Sequence, residues 1–150
     1  MLNRNELIKL LYEYGVIQLK DIILKNGNKS PYYCDFRQII SHPQFFKDFT
    51  KYVVNYINKL NDLSYERIAG VPYGGIPLAV GIGTELQKSI IMPRTNKKEY
   101  GNKKEIEGHF EIGDDVLLIE DTVTSGKSVL DTIKMIERNG CLVSSVVVLL

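Results

Sequence analysis

Helical spacing of apolar side chains marks two segments in the N-terminal part of the chain. From residue 4 to residue 14, leucine, isoleucine and tyrosine side chains recur at this spacing and Gly15 follows, which predicts an amphipathic helix that ends there. Apolar side chains recur in the same way from Pro43, a residue typical of first helical turns, as far as Leu60. This second pattern predicts a long helix with one buried face.

Two strand-like runs separate these helices. Residues 22–25 and 32–36 are rich in β-branched and aromatic side chains, and an Asn26-Gly27 turn signal lies between them. The pattern predicts a β-hairpin with Lys25 near its tip.

From Glu66 onward, apolar runs alternate with helical patterns. The predicted strands are residues 67–71, 89–92, 116–119 and 143–150, and the predicted helices are residues 78–86 and 128–138. Continuously hydrophobic strands that alternate with helices are typical of a parallel sheet covered on both faces, so the fold class is α/β. Such sheets bind ligands beyond the carboxyl ends of their strands, which places residues 72–75, 94–108 and 120–128 along one rim.

Composition narrows the class of protein. The 150 residues carry 19 basic and 18 acidic side chains, and this balance does not indicate a nucleic-acid or membrane partner. Cys34 and Cys141 form no CxxC pair, so a disulfide framework or zinc site is not expected and a reducing compartment fits. The chain shows neither a signal peptide nor a long apolar run, and we expect a cytoplasmic protein.

The stretch VLLIEDTVTSGKSVLDTI, residues 116–133, carries the most specific chemical signal. Its Gly126-Lys127-Ser128 segment resembles the end of a Walker A loop, but that motif needs a glycine where Asp121 stands, which argues against this class of nucleoside triphosphatase. A loop of Thr, Ser and Gly between a strand and a helix start still offers free backbone NH groups to a phosphate.

Two acids precede this loop, and they suit a different part of a ligand. The carboxylates of Glu120 and Asp121 can accept hydrogen bonds from vicinal hydroxyls, so a ribose 5-phosphate would satisfy both the acids and the loop. An isolated acid pair would more simply be read as a strand end beside a helix cap. The whole stretch of residues 116–133 matches such a site, which favours a ribose 5-phosphate ligand over this simpler reading.

These residues resemble the phosphoribosyl-pyrophosphate (PRPP) motif of type I phosphoribosyltransferases. DIILKNGNKSPYYCDFR, residues 21–37, resembles the N-terminal signature of orotate phosphoribosyltransferase. GVPYGGIPLA and RTNKKEYGNKKEIEG, residues 70–79 and 94–108, are similar in spacing to the same family, especially to the domain that begins eukaryotic-type UMP synthase. The resemblance covers residues 7–150.

The resemblance implies a type I phosphoribosyltransferase fold with an N-terminal helix and β-hairpin hood, residues 1–40, and a PRPP-binding core, residues 66–150. It implies a pentosyltransferase that joins PRPP and orotate to give orotidine 5'-monophosphate and pyrophosphate in UMP biosynthesis. Mg²⁺ would be held mainly by PRPP, with Asp121 acting through water. The resemblance also implies a homodimer in which the 94–108 loop reaches the neighbouring active site. It further implies an orotidine 5'-phosphate decarboxylase that is fused or bound to the chain.

By the same resemblance, Lys98 and Asp121 are the catalytic residues, and Lys98 neutralises the departing pyrophosphate. The residues expected to bind PRPP are Tyr73, Gly74, Arg94, Lys98, Tyr100, Glu120, Asp121, Thr122, Val123, Thr124, Ser125, Gly126, Lys127 and Ser128. The residues expected to contact orotate are Lys25, Tyr33, Cys34 and Thr124. Thr95 stands where a second lysine usually follows the arginine, here Arg94. We therefore expect weaker PRPP binding or a larger contribution of Lys97 to that binding.

Two alternatives stay open: a PRPP-binding regulatory or catalytically impaired module, and a phosphoribosyltransferase for a purine base. The family's last strand is followed by an arginine that grips the orotate carboxylate, whereas this sequence stops at Leu150 within the apolar run. The chain could be a fragment of a longer enzyme or a shortened protein that depends on a partner, or the remainder could be absent from this sequence. We expect a fragment lacking the C-terminal part of the fold, one that binds PRPP but turns over orotate slowly.

Overall fold

The computed structural model describes residues 2–23, 27–60, 63–95 and 104–150. Contacts divide the chain into two compact units, Met1–Tyr52 and Val53–Leu150, which are described separately. The predicted assignment of the whole chain to one domain, with its hood and core segments, stays a prediction.

The first helix of the N-terminal unit, α1 (Arg4–Glu13), begins with a capping box. The Asn3 side chain accepts a hydrogen bond from the Glu6 backbone NH at 3.0 Å, and the Glu6 carboxylate accepts one from the Asn3 backbone NH at 2.9 Å. These bonds satisfy two of the NH groups that a helix start leaves free. Leu7 and Leu11 form its buried face, which confirms the helix predicted from residue 4.

The N-terminal unit also contains the predicted hairpin, with different strand limits. Strands β1 (Ile17–Ile23) and β2 (Lys29–Cys34) pair antiparallel. The predicted starts, residues 22 and 32, were wrong, because polar and charged side chains interrupt the apolar pattern early in β1 and β2. The predicted end of the second strand at residue 36 was also wrong, since β2 ends at Cys34. Residues 24–26, which include the predicted tip, lie outside the described residues.

After β2 the chain forms a 3-10 helix, Phe36–Ser41, that the sequence patterns did not predict. It begins where the Asp35 carboxylate accepts a hydrogen bond from the Arg37 backbone NH at 3.2 Å. Helix α2 (Pro43–Ile57) follows and ends three residues before the predicted limit, Leu60.

The C-terminal unit contains a five-stranded sheet in the order β5-β4-β3-β6-β7. Its strands are β3 (Arg67–Gly70), β4 (Ser89–Pro93), β5 (Ile106–Glu107), β6 (Asp115–Glu120) and β7 (Leu142–Val148). The pairs β3–β4, β3–β6 and β6–β7 are parallel, which confirms the predicted mainly parallel sheet. Strand β5 pairs antiparallel with β4, and a strand of two residues is too short to leave a periodic signal.

Two helices connect these strands, α3 (Gly75–Leu86) and α4 (Lys127–Arg138). Helix α3 begins three residues before the predicted start, because its first residue is a glycine that patterns assign to a turn. Strand β7 ends at Val148 rather than residue 150. The buried core of this unit includes Ala69, Val71, Ile91, Val116, Leu118 and Ile136. Among the described helices, none combines the length and apolar character needed to cross a membrane.

Candidate active site

Two neighbouring strands position the two loops of the candidate site. Strands β3 and β6 pair in parallel with Gly70 opposite Ile119, so the loops that follow them begin at the same edge of the sheet. These loops are residues 71–74 and 121–126. The Val71 backbone NH donates to the Ile119 carbonyl oxygen at 2.9 Å and continues the pairing into the first loop.

Glycines allow the start of α3 to approach β6 closely. A Cβ at Gly75 would overlap the carbonyl oxygen of Ile119, and a Cβ at Gly70 would overlap the backbone of Gly75. A Cβ at Gly74 would overlap the carboxylate of Asp121. The structure therefore brings together Gly74 and Asp121, two residues predicted for the PRPP site from separate motifs.

The acid pair differs in environment. Glu120 is only 5% exposed and accepts a hydrogen bond from the Asp121 backbone NH at 3.0 Å. Burial, followed by the neighbouring Asp121 carboxylate, raises the pKa of Glu120 to about 8, although the backbone hydrogen bond partly opposes this. This environment favours the protonated form of Glu120.

Asp121 faces the beginning of the hydroxyl loop. Its carboxylate accepts a hydrogen bond from the Thr122 backbone NH at 2.7 Å. The Val123 backbone NH donates to the Leu150 carbonyl oxygen at 2.9 Å. These two bonds hold Thr122 and Val123 at the beginning of the loop.

The rest of the hydroxyl loop is open to a ligand. Thr124 and Ser125 are exposed, and Gly126 has a φ of +74°, a left-handed conformation that favours glycine. Within the described part of the chain, the backbone NH groups of these three residues donate to no protein group. Free NH groups before a helix start bind anions, so the geometry suits the predicted phosphate.

Lys127 and Ser128 begin helix α4, directly after the loop. Both side chains are exposed, and the Lys127 ammonium pairs with Asp131 at 3.1 Å. A surface pair of this kind is weak, which leaves Lys127 able to turn toward a phosphate.

Strand β4, the other neighbour of β3, places Arg94 at the same edge. One guanidinium nitrogen of Arg94 donates to Glu107 at 3.0 Å, and the Arg94 backbone NH donates to the Glu105 carbonyl oxygen at 2.9 Å. The buried Nε of Arg94 has no hydrogen-bond partner among the described residues. Arg94 is thus held in place by its contacts with Glu107 and Glu105.

Glu105 and Glu107 were not identified by the sequence analysis. The Glu105 carboxylate accepts hydrogen bonds from Arg138 at 2.8 Å, in a two-point contact, and from Asn139 at 3.0 Å. Both acids lie in a polar stretch where sequence spacing gives no signal, because their partners lie directly after β4 and at the end of α4.

The predicted orotate contacts Tyr33 and Cys34 lie on β2 of the N-terminal unit. The Tyr33 hydroxyl accepts a hydrogen bond from Arg37 at 3.2 Å, and the Lys20 ammonium lies 5.3 Å from the Tyr33 ring centroid. Burial raises the pKa of the Cys34 thiol, so the group stays neutral at physiological pH.

Asp35 organises this part of the N-terminal unit, although the sequence analysis did not single it out. It accepts hydrogen bonds from the Arg37 side chain at 2.6 Å and from Gln38 at 3.1 Å. Burial raises its pKa, but these hydrogen bonds and the Arg37 charge outweigh burial and hold the pKa below its ordinary value. Asp35 therefore remains a charged anchor for Arg37.

Three predicted site residues, Lys25, Lys98 and Tyr100, lie outside the described residues. Their roles stay predictions.

Carboxylate oxygens are the protein groups that most often bind magnesium. Across residues 2–23, 27–60, 63–95 and 104–150, no cluster of three or more His, Cys, Asp or Glu side chains could hold a metal ion. Mg²⁺ keeps several waters and is often held mainly by substrate phosphates. The Asp121 carboxylate, at the start of the hydroxyl loop, fits a hydrated ion of this kind.

The parallel sheet, the acid pair and the loop at a helix start define a type I phosphoribosyltransferase. Orotate phosphoribosyltransferase from Aeropyrum pernix matches with a TM-score of 0.79 at 25% identity, over 95% of this chain and 79% of that chain. UMP synthase from Leishmania donovani matches with a TM-score of 0.84 at 30% identity, over 95% of this chain and 30% of that chain.

Sequence relatives identify the family within this class. Orotate phosphoribosyltransferase from Pyrococcus horikoshii is 36% identical over 137 residues, which is 91% of this chain and 73% of that protein. The bifunctional enzyme PyrF/PyrE from Nostoc sp. is 35% identical over 144 residues, 96% of this chain and 30% of the relative's length. No family model matches the chain. The chain belongs to the orotate phosphoribosyltransferase family.

Proposed function

We propose that the chain transfers the 5-phosphoribosyl group of PRPP to orotate, giving orotidine 5'-monophosphate and pyrophosphate in pyrimidine biosynthesis. The observation that carries this proposal is the position of Asp121, which lies against Gly74 of the neighbouring loop and directly before the hydroxyl loop. One carboxylate is thereby placed between two loops suited to phosphate groups. Membership of the orotate phosphoribosyltransferase family supports orotate as the acceptor.

In this proposal the 5'-phosphate binds the loop of residues 122–128. The free backbone NH groups of Thr124, Ser125 and Gly126 point to such a role, with the hydroxyls of that loop as further donors. The helix dipole of α4 favours negative charge at the same place.

The ribose hydroxyls bind the acid pair. Asp121 accepts hydrogen bonds, and Glu120 in its protonated form can also donate one, so together they match a diol that both donates and accepts. A protonated Glu120 also limits repulsion of the neighbouring 5'-phosphate. This arrangement offers a physical reason for placing acids beside an anion site.

The pyrophosphate end of PRPP binds the Tyr73-Gly74 loop and Arg94. During transfer the bond from C1' of the ribose to pyrophosphate breaks, and the leaving group takes the bonding electrons. A ring nitrogen of orotate bonds to C1' and gives up its proton to water. Negative charge collects on pyrophosphate, and preorganised cations lower the energy of that state. We propose that Arg94, Lys98 and Tyr100 provide these contacts.

Magnesium, when bound, supplies positive charge that neutralises the pyrophosphate group. Asp121 would hold the hydrated ion through water, and PRPP would provide most of its ligands.

Orotate is proposed to contact Lys25, Tyr33, Cys34 and Thr124. The hydrogen bond from Arg37 orients the Tyr33 hydroxyl, and Asp35 in turn holds Arg37, so this pair would fix the Tyr33 ring that faces orotate.

Three further features are part of the proposal. We propose a homodimer in which the loop of residues 94–108 reaches the neighbouring active site. A fused or bound orotidine 5'-phosphate decarboxylase is supported by the similarity to a bifunctional enzyme and to a UMP synthase. The low cysteine count favours a cytoplasmic location.

Incubating the purified chain with PRPP, Mg²⁺ and one of three bases tests this function. Orotate should give orotidine 5'-monophosphate and an equal amount of pyrophosphate, whereas adenine and hypoxanthine should give neither. Nucleotide formation from a purine base would refute the orotate assignment. PRPP binding without product from any base would favour a regulatory module.

A further inference from the structure

A hydrogen bond between two hydroxyl groups joins the ends of neighbouring strands. Tyr73 follows β3 and Thr95 follows β4, and the Tyr73 hydroxyl lies 2.7 Å from Thr95 Oγ1. Because β3 and β4 are parallel neighbours, their carboxyl ends meet at one edge of the sheet. The bond therefore connects residues that are 22 positions apart in the chain.

Packing does not hold the Tyr73 side chain in place. Tyr73 is 70% exposed, so few neighbouring atoms restrict its ring. A tyrosine ring in solvent samples several rotamers, and a hydrogen bond at its tip selects one of them. Within the described part of the chain, the bond to Thr95 is the contact that fixes the direction of this side chain.

The position of Tyr73 also affects the neighbouring site. Tyr73 precedes Gly74, and Gly74 lies against the Asp121 carboxylate. A rotation of the 71–74 loop would therefore move the Tyr73 side chain and change the space beside Asp121. Thr95 replaces the lysine expected at this position, and its hydroxyl has a separate role in holding Tyr73.

We propose that Thr95 is a positioning residue for the diphosphate group of PRPP, acting through Tyr73 rather than by direct contact. This inference rests on the proposed function. The Thr95 hydroxyl holds Tyr73, and with it the 71–74 loop, in the orientation that receives a diphosphate. Loss of one neutral hydrogen bond at an exposed site lowers affinity by about two- to tenfold.

Thr95→Val and Thr95→Ser form a matched pair for the test. Valine keeps the shape of threonine and removes the hydroxyl, while serine keeps the hydroxyl. With Mg²⁺ present, calorimetry should show Thr95→Val binding pyrophosphate about two- to tenfold more weakly than wild type, and Thr95→Ser within twofold. The KM for PRPP should rise by the same factor in Thr95→Val, with little change in the KM for orotate.

Two additional readouts separate positioning from general damage. Ribose 5-phosphate lacks the diphosphate, so its dissociation constant should be the same in Thr95→Val as in wild type. The Tyr73→Phe change should weaken pyrophosphate binding as Thr95→Val does, and the double variant should be no weaker than either single variant, because both remove the same bond.

Equal pyrophosphate binding by wild type and Thr95→Val would overturn the inference, while orotate-dependent turnover in the same samples would leave the proposed function intact. Additive losses in the double variant would also overturn it, because the two hydroxyls would then act separately. A wild-type chain that binds neither PRPP nor pyrophosphate would refute the proposed function itself and the inference with it.

Discussion

Alanine at Gly74 should reduce PRPP use far more than stability, whereas alanine at the adjacent Gly75 should reduce stability first. A Cβ at Gly74 would lie 2.5 Å from Asp121 Cγ and 2.8 Å from Asp121 Oδ1. Ordinary contacts between such atoms are about 3.5–4 Å, so the carboxylate has to move by about 1 Å. At Gly75 the new atom would meet the backbone oxygen of Ile119 in a central strand, which cannot turn aside.

The magnitudes of the two effects differ for this reason. Overpacking against backbone costs about 1–3 kcal/mol at Gly75, partly offset by about 0.5–1 kcal/mol from the better helix propensity of alanine. For a chain of this size, each kcal/mol corresponds to about 2–4 °C in Tm. At Gly74 the structural cost is limited to the hydrogen bond from Thr122 to Asp121, about 1 kcal/mol. A displacement of about 1 Å in a site group lowers activity by up to about 100-fold.

Thermal denaturation and steady-state kinetics on both variants measure these effects. We expect kcat/KM for PRPP to fall about 10- to 100-fold in Gly74→Ala, with Tm within about 4 °C of wild type. Gly75→Ala should show the larger loss of Tm. Wild-type kcat/KM in Gly74→Ala would refute the reasoning, because it would mean that Asp121 does not need its present position.

Three further predictions test separate parts of the account. Folding raises the pKa of Glu120 from 4.5 to about 8. Between these two pH values the folded protein therefore binds more protons than the unfolded chain, and its stability should fall as pH rises. In Glu120→Gln, Tm measured across pH 5–8 should decline less steeply, and an unchanged slope would contradict the assigned pKa. Lys98→Ala should lower kcat by at least about tenfold while PRPP binding persists. Lys103→Ala, the control in the same loop, should change neither kcat nor PRPP binding. Equal effects of the two changes would contradict a catalytic role for Lys98. Asn3→Ala should lower the free energy of unfolding by about 1 kcal/mol in denaturant titration, because it removes the side-chain oxygen that accepts the hydrogen bond from the Glu6 backbone NH. No change would show that this cap contributes little.

Features that depend on neighbouring residues were the ones that the sequence could predict. In residues 116–133 the strand, the acids, the loop and the helix follow one another directly, so their order in the sequence is also their order in space. The parallel sheet could also be predicted from the sequence, because continuous hydrophobic strands that alternate with helices are compatible with few other arrangements.

Contacts between distant segments could not be predicted. The close approach of Gly74 to Asp121, the ion pair of Arg94 with Glu107 and the hydrogen bond between Tyr73 and Thr95 all depend on the order of strands in the sheet. No periodicity along the chain encodes that order. The short antiparallel strand β5 was missed because two residues of pairing are determined by the partner strand rather than by local propensity.

The central claim is that Asp121 supports transfer from PRPP to orotate. Orotate-dependent pyrophosphate release tests it most directly, measured with PRPP and Mg²⁺ on wild type, on Asp121→Asn and on the exposed control Glu137→Gln of helix α4. We expect that release by wild type and Glu137→Gln requires both substrates, and that Asp121→Asn lowers it by at least about tenfold. Release that does not depend on orotate, or that is the same in Asp121→Asn and wild type, would contradict the account.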